Sequence, residues 1–178
     1  IPLGVLKSGV MRFAPDLPAG KRDSIRRLGM GVVNKVVLRF DRAWWPSRTH
    51  FGYLSEGPGT YSEFINLQKE TCAPLLVGFV GGNRARELEP ADNSTHVDAA
   101  VGVLRKMFGS SIPHPNASLV TRWGRDPFTR GSYSHIPVGA TGADYDVMAG
   151  PAGRVYFAGE ATHRQYPATV HGAYLSGI

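Results

Sequence analysis

Arg154-Val155-Tyr156-Phe157-Ala158-Gly159-Glu160-Ala161-Thr162-His163-Arg164-Gln165-Tyr166-Pro167-Ala168-Thr169-Val170-His171-Gly172-Ala173-Tyr174-Leu175-Ser176-Gly177-Ile178 carries the most structural information in this sequence. Residues 154–158 form a short, apolar, β-rich run, and Gly159 allows a turn at its end. Glu160 then stands at the strand tip, where a carboxylate can accept hydrogen bonds from a ligand hydroxyl. A loop containing Pro167 leads to residues 169–175, which open like a helix. A helix start offers unpaired N–H groups and the positive end of a dipole. Strand, acidic tip, loop and helix start together are the makings of a cofactor site in an α/β sheet.

Working outward, 178 residues with 42% hydrophobic and 19% charged content suit one globular domain with a sizeable core. Gly 22 and Pro 13 imply many turns. No apolar stretch approaches the ~20 residues that span a bilayer, and no secretory segment opens the sequence, since residues 1–4 read as strand-like. Cys72 stands alone, which excludes a disulfide or a thiolate zinc site within the chain and reads as a small buried hydrophobe. Residues 1–48 hold ten Lys/Arg against three Asp/Glu, a net +7, and the remainder holds ten against eleven. The densest cluster, Lys21, Arg22, Arg26 and Arg27, reads as a solvated helix face, because no groove-reading motif or interleaved aromatic accompanies it. Direct nucleic-acid binding therefore has no motif behind it. Asn93-Ser94-Thr95 and Asn116-Ala117-Ser118 fit a glycosylation pattern that is common by chance.

Periodicity predicts a helix over 18–28 with Gly29 as its stop, and a half-buried strand over 34–41 with Val36, Leu38 and Phe40 inward. It also predicts a strand covered on both faces over 74–80. A helix is expected over 94–108, capped by Asn93 or Ser94 and ended by Gly109. Residues 119–133 read as a strand leading into a structured loop, and 144–148 as a turn or short helix. The six histidines show no metal-ligand spacing, so a metal site is not expected. No G-x-S-x-G elbow or P-loop is present.

The run F-A-G-E-A-T followed by Y-P-A-T-V-H-G-A-Y-L-S-G resembles the C-terminal flavin-binding segment of flavin-containing amine oxidases, a group that includes polyamine oxidases, monoamine oxidases and lysine-specific histone demethylases. Ile1-Pro2-Leu3-Gly4-Val5-Leu6-Lys7 resembles the segment that leaves the flavin domain for the substrate domain. Residues 31–38 resemble the strand bearing the family's lysine, and 121–134 the segment that packs aromatic rings around flavin and substrate. The unbroken N-K-V-V-L and D-P-F-x-R-G-S-Y-S pieces are most similar to histone-demethylase-like members. The family's opening G-x-G-x-x-G is missing. Its nearest candidate, residues 29–34, lacks the third glycine and precedes a strand.

The resemblance implies an α+β fold: a mixed-sheet substrate domain plus the terminal strand–helix segment of a Rossmann-like FAD-binding domain. The expected divisions are a flavin-domain exit segment over 1–9, a substrate-binding domain over 10–150 and an FAD-binding segment over 151–178, within a longer oxidase. The implied cofactor is FAD, contacted by Glu160, Thr169, Val170, Pro2, Trp123 and Phe128. Val170 would bring a backbone N–H to the flavin pyrimidine edge. Tyr133 and Thr169 would line the substrate pocket. Thr169 stands where many simple amine oxidases carry a tyrosine, and the smaller residue implies a wider pocket.

From the residues alone, Trp123, Phe128 and Tyr133 are either core packing or a π-lined box for a cationic amine. Alternation alone places Lys35 on an exposed face beside Arg39. The resemblance makes it the catalytic candidate, reaching flavin N5 through a water from a buried position that lowers its pKa.

The implied reaction is oxidation of a polyamine or N-methyl-lysine by hydride transfer to flavin N5, followed by imine hydrolysis and hydrogen peroxide release. Its partner would be a small-molecule amine or a methylated peptide tail. The alternative is a non-catalytic binding module derived from such an oxidase, holding a peptide or protein. Location stays open, with cytoplasm or nucleus favoured.

Overall fold

The computed structural model describes residues 1–54 and 61–178, which form two compact units. One comprises residues 1–31 and 123–178, the other 32–122. Residues 10–31 and 123–150 pack with the two terminal segments, 1–9 and 151–178, in the first unit.

The first unit opens with α1 (Leu3–Lys7), α2 (Ala19–Arg27) and the short strand β1 (Gly29–Gly31). Residues 1–4 were expected to be strand-like. Pro2 instead adopts φ −59°, ψ 146° and its carbonyl accepts from the N–H groups of Val5 and Leu6, so it starts a helix. The predicted helix over 18–28 is α2, with Pro18 before its first turn.

The second unit contains β2 (Val33–Arg39), β3 (His50–Gly52), β4 (Glu63–Asn66), α3 (Gln68–Thr71), β5 (Leu75–Gly81), α4 (Gly82–Leu88), α5 (Asn93–Phe108) and β6 (Ala117–Val120). Its sheet runs β3-β4-β5-β2-β6. A mixed sheet was expected, but every pairing among the described residues is antiparallel. The eight residues 67–74 between β4 and β5 are too few for a parallel crossover, which needs about a dozen or more. Val36, Leu38 and Phe40 point into the core as the alternation predicts, meeting Leu76 and Val80 of β5 and the Val97, Val101 and Leu104 stripe of α5. The cap of α5 is Asp92, rather than Asn93 or Ser94 as expected; its Oδ1 accepts from Thr95 N at 2.8 Å. Gly109 ends α5. Cys72 is exposed in a left-handed turn rather than buried.

The chain returns to the first unit through β7 (Tyr133–His135), α6 (Ala143–Ala149), a 3-10 turn at Glu160–Thr162 and α7 (Val170–Leu175). Strand β7 pairs with β1, setting Ser134 opposite Met30. Leu3, Leu17, Ile25 and Leu28 share one core with Tyr145, Met148 and Ala161, so residues far apart in sequence meet. The expected strand over 154–158 does not form. Residues 152–155 make a tight turn held by reciprocal backbone bonds between Ala152 and Val155. Tyr156 is 82% exposed. An apolar β-rich run becomes a strand only where another strand completes its hydrogen bonds, and none among the described residues does so here.

The basic helix is not simply a solvated face. Lys21 is buried, its Nζ donating to the carbonyls of Met148 (2.7 Å) and Gly150 and sitting 3.9 Å over the Phe157 ring. Arg27 pairs with buried Asp144, which also accepts from Ser24 Oγ and Thr141 N. The Arg27 hydrogen bonds hold the Asp144 carboxyl below its ordinary value, against the opposing effect of burial. No helix of the described residues is long and apolar enough to cross a membrane.

Candidate functional site

In the first unit the candidate site is organised by Glu160. Gly159, at φ 139°, turns the chain where the sequence predicts a turn, in a conformation that a side chain would strain. The carboxylate that follows faces inward. Its Oε1 accepts from Ser134 N at 3.1 Å, and its Oε2 accepts from Ser134 Oγ at 2.6 Å and from Ala168 N at 2.9 Å. Ser134 Oγ also lies 3.0 Å from the hydroxyl of Tyr145, which is fully buried. Burial raises the Tyr145 phenol above its ordinary pKa, so it is a neutral donor toward Ser134. Glu160 therefore fastens β7 to the loop over 163–168. A carboxylate has about four acceptor positions, which leaves room on Oε1 for a further donor such as a ligand hydroxyl.

The same carboxylate sets the start of α7. Ala168 adopts a positive φ of 60° while donating to Glu160. Thr169 caps the helix, its Oγ1 accepting from Gly172 N at 3.0 Å and donating to Tyr166 O at 2.7 Å. Val170 follows with its side chain 88% exposed. As the first helical residue, its N–H has no intrahelical acceptor. At the other end of this segment Ser176 Oγ accepts from Gly159 N at 2.8 Å, closing the loop on itself.

The aromatic segment lies in the same unit. Trp123 is half-buried, its carbonyl accepting from Gly131 N and Thr129 Oγ1. Within that loop Asp126 Oδ1 accepts from Phe128 N, and the Phe128 ring is 81% exposed. Tyr133, on β7, also faces out beside the inward Ser134. Phe128 and Tyr133 are thus not core residues. Pro2 is exposed, and the helix it starts lies against this loop: a Cβ on Gly4 would come within 2.5 Å of the carbonyl oxygens of both Thr129 and Arg130. Pro2, Phe128, Tyr133, Glu160, Thr169 and Val170 are consequently all held by one packed unit.

Lys35 belongs to the second unit, on β2, where its backbone N–H donates to Thr121 Oγ1 at 2.8 Å. Its side chain is exposed, as alternation alone predicts, and the buried position expected around it is not found. The ammonium lies 5.8 Å from the Phe79 ring centroid and has no carboxylate partner among the described residues. Buried Asn34, beside it on β2, donates to Glu89 Oε1 at 2.8 Å.

Sequence reasoning missed Ser134 and Tyr145. The signal for Ser134 was available: a polar residue at the inward register of an otherwise outward-facing strand. Tyr145 had none, since a tyrosine in a short helix is ordinary packing. Among the described residues, no group of three or more His, Cys, Asp or Glu is placed to hold a metal ion.

Comparison with known proteins interprets this geometry. The family model for flavin containing amine oxidoreductases matches residues 1–178. The chain belongs to that family. FAD is the cofactor the family implies, and the residues present fit one: a helix start with an unsatisfied N–H, a carboxylate with spare acceptor capacity, and outward aromatic rings. The chain is 46% identical over 185 residues to lysine-specific histone demethylase 1 homolog 1 of Oryza sativa subsp. japonica, covering 99% of this chain and 22% of that protein. It is 40% identical over 201 residues to a possible lysine-specific histone demethylase 1 of Drosophila melanogaster, covering 100% of this chain and 23% of that protein. Among solved structures, wild-type putrescine oxidase bound to putrescine aligns with TM-score 0.83 at 19% identity, over 99% of this chain and 39% of that one. The chain thus spans less than a quarter of the length of these curated relatives, and its family membership agrees with the resemblance read from residues 154–178.

Proposed function

We propose that this chain carries flavin-facing and amine-facing residues of an FAD-dependent amine oxidase. The observation that supports the reading is the three-donor seating of Glu160, which ties β7 to the loop over 163–168 that leads into α7. Bound flavin would supply the two-electron acceptor for hydride from the amine carbon, with oxygen as the terminal acceptor giving hydrogen peroxide and water hydrolysing the imine.

The chain's own residues bind, orient and move protons. Glu160 and the Val170 N–H would hold the cofactor, with Pro2, Trp123 and Phe128 against it. Tyr133 and Thr169 would line the amine pocket, where aromatic faces favour a cation and a threonine leaves width for a peptide-borne side chain. Lys35, exposed and without an ion partner, would carry a proton through a water at the reacting centre. The substrate class is an N-methylated lysine in a peptide, supported by the names of the curated relatives. A polyamine is the second class, since the structural neighbour is a putrescine oxidase. In the domain roles we propose, residues 1–9 and 151–178 serve the flavin side and 10–150 include the substrate side.

The test uses the protein at the length of its relatives. Peroxide release and anaerobic flavin bleaching are measured with a dimethyl-lysine peptide, with spermidine and with putrescine. Bleaching by the peptide supports the reading and bleaching by a polyamine alone redirects the substrate. Peptide binding with no bleaching would make the chain a binding module instead.

A further inference from the structure

We propose that the first unit holds a second binding site, independent of the amine-oxidation reading, for a small amphipathic anion: a carboxylate carried on an apolar body. A cavity of about 610 Å³ lies between α2 and the segment that leads into it from α1. This is within the roughly 300–1,000 Å³ typical of small-molecule sites. Every residue of the chain that lines it falls between Leu6 and Arg26, within one unit.

Its floor and its rim differ in chemistry. Leu6, Phe13, Leu17 and Ile25 give apolar surface, and Phe13 is steadied by the Phe157 ring at 6.3 Å. Four cationic side chains, Lys7, Arg12, Arg22 and Arg26, line the cavity against one carboxylate, Asp16. Lys7 is fixed in place, its Nζ donating to the carbonyls of Ile25 (2.9 Å), Arg26 (2.8 Å) and Leu28 (2.7 Å) at the end of α2. Those acceptors are neutral, and the ammonium has no carboxylate partner among the described residues. Arg22 meets Asp16 at 3.4 Å and Arg26 meets Asp23 at 2.9 Å, both in exposed pairs that exchange readily for another anion. Arg12 has no hydrogen-bond or ion-pair partner among the described residues. An apolar floor under an under-neutralised basic rim selects against cations and against anions without an apolar body.

The experiment titrates sodium octanoate into the protein at the length of its relatives and follows backbone amides by NMR. Saturable shifts over residues 6–17 and 22–26 are expected, with a Kd below about 10 mM for so small a probe. n-Octylamine, with the same body and opposite charge, is expected to bind about tenfold more weakly. Arg12→Gln and Arg12→Ala remove an exposed side chain without partners, and each is expected to weaken octanoate about fivefold. Arg105→Gln, in the other unit, should leave it unchanged. The proposal is overturned by no saturation in that range, by octylamine binding equally well, by shifts centred elsewhere, or by Arg12 variants that bind within about twofold of the parent.

Discussion

Glu160 and Lys35 show how differently two charged residues express a role. Glu160 is ordered by three protein donors, so its position is fixed before any ligand arrives, which is the condition for a residue that orients a cofactor. Among the described residues Lys35 has an aromatic ring near its ammonium and no ion partner, so its role depends on what else reaches it. In the protein at the length of its relatives, Lys35→Met keeps the stem and removes the ammonium. FAD content is expected to be retained, while flavin reduction by amine or reoxidation by oxygen slows by about 10²–10⁴-fold, the range of a positioned proton-transfer group. Anaerobic stopped-flow and oxygen mixing separate the two half-reactions; rates within about twofold in both, the behaviour of an ordinary surface residue, remove Lys35 from the site. The sequence made Glu160 legible because a glycine turn before a lone acid at an apolar run's end is a local pattern. It could not reveal that Ser134, far away in the chain, supplies two of the donors, because that pairing is set by the β1–β7 register rather than by local composition.

Two lysines act at the level of elements. Lys7, from α1, donates to the last carbonyls of α2, and Lys21, from α2, donates to the carbonyls that end α6. Helix ends leave unsatisfied carbonyls and a negative partial charge, and an ammonium seated among those carbonyls answers both. Burial lowers the pKa of each lysine. Lys21→Met keeps the stem packed over Phe157 but strands two carbonyls, and is expected to destabilise the first unit by about 1–3 kcal/mol. A thermal melt should show a loss of about 2–4 °C per kcal/mol; an unchanged midpoint would mean that water replaces the ammonium. Gly4→Ala should cost a similar amount, about 1–3 kcal/mol, because its Cβ meets backbone oxygens that cannot rotate away. These caps explain why a basic cluster reads as a solvated face from sequence and is partly interior in structure. Composition reports charge, whereas the helix ends that consume it come from residues 148–150, over a hundred positions away. The same limit hid the fate of residues 154–158, whose β-rich composition was readable and whose lack of a pairing strand was not.

At the scale of the whole molecule, each unit carries a buried group whose pKa is lowered, and the pH ranges over which their stabilisation is lost differ. In the second unit His96 is fully buried, its Nε2 2.9 Å from Leu88 O and its Nδ1 3.1 Å from the Tyr61 hydroxyl. Leu88 O can only accept, so Nε2 carries the proton and Nδ1 accepts from Tyr61, a neutral phenol pushed up to about 12 by burial. Burial also lowers the His96 pKa below 6.5. The unfolded chain therefore takes up the proton first. The stabilisation is whole above about pH 6.5 and is lost as pH falls through the lowered folded value. In the first unit, Asp144 is likewise depressed, chiefly by its hydrogen bonds from Arg27. Its contribution is whole above the ordinary carboxylate range, about pH 4, and is lost only below it. Melting midpoints measured between pH 8 and pH 3 are therefore expected to decline in two stages. His96→Gln should lower the midpoint at pH 8 yet flatten the decline below about pH 6.5, since the titrating group is gone. Asp144→Asn should flatten the decline below about pH 4 and leave the earlier one in place. A His96→Gln protein whose midpoint falls between pH 6.5 and 5 as steeply as the parent's would place the first stage of the decline on another group.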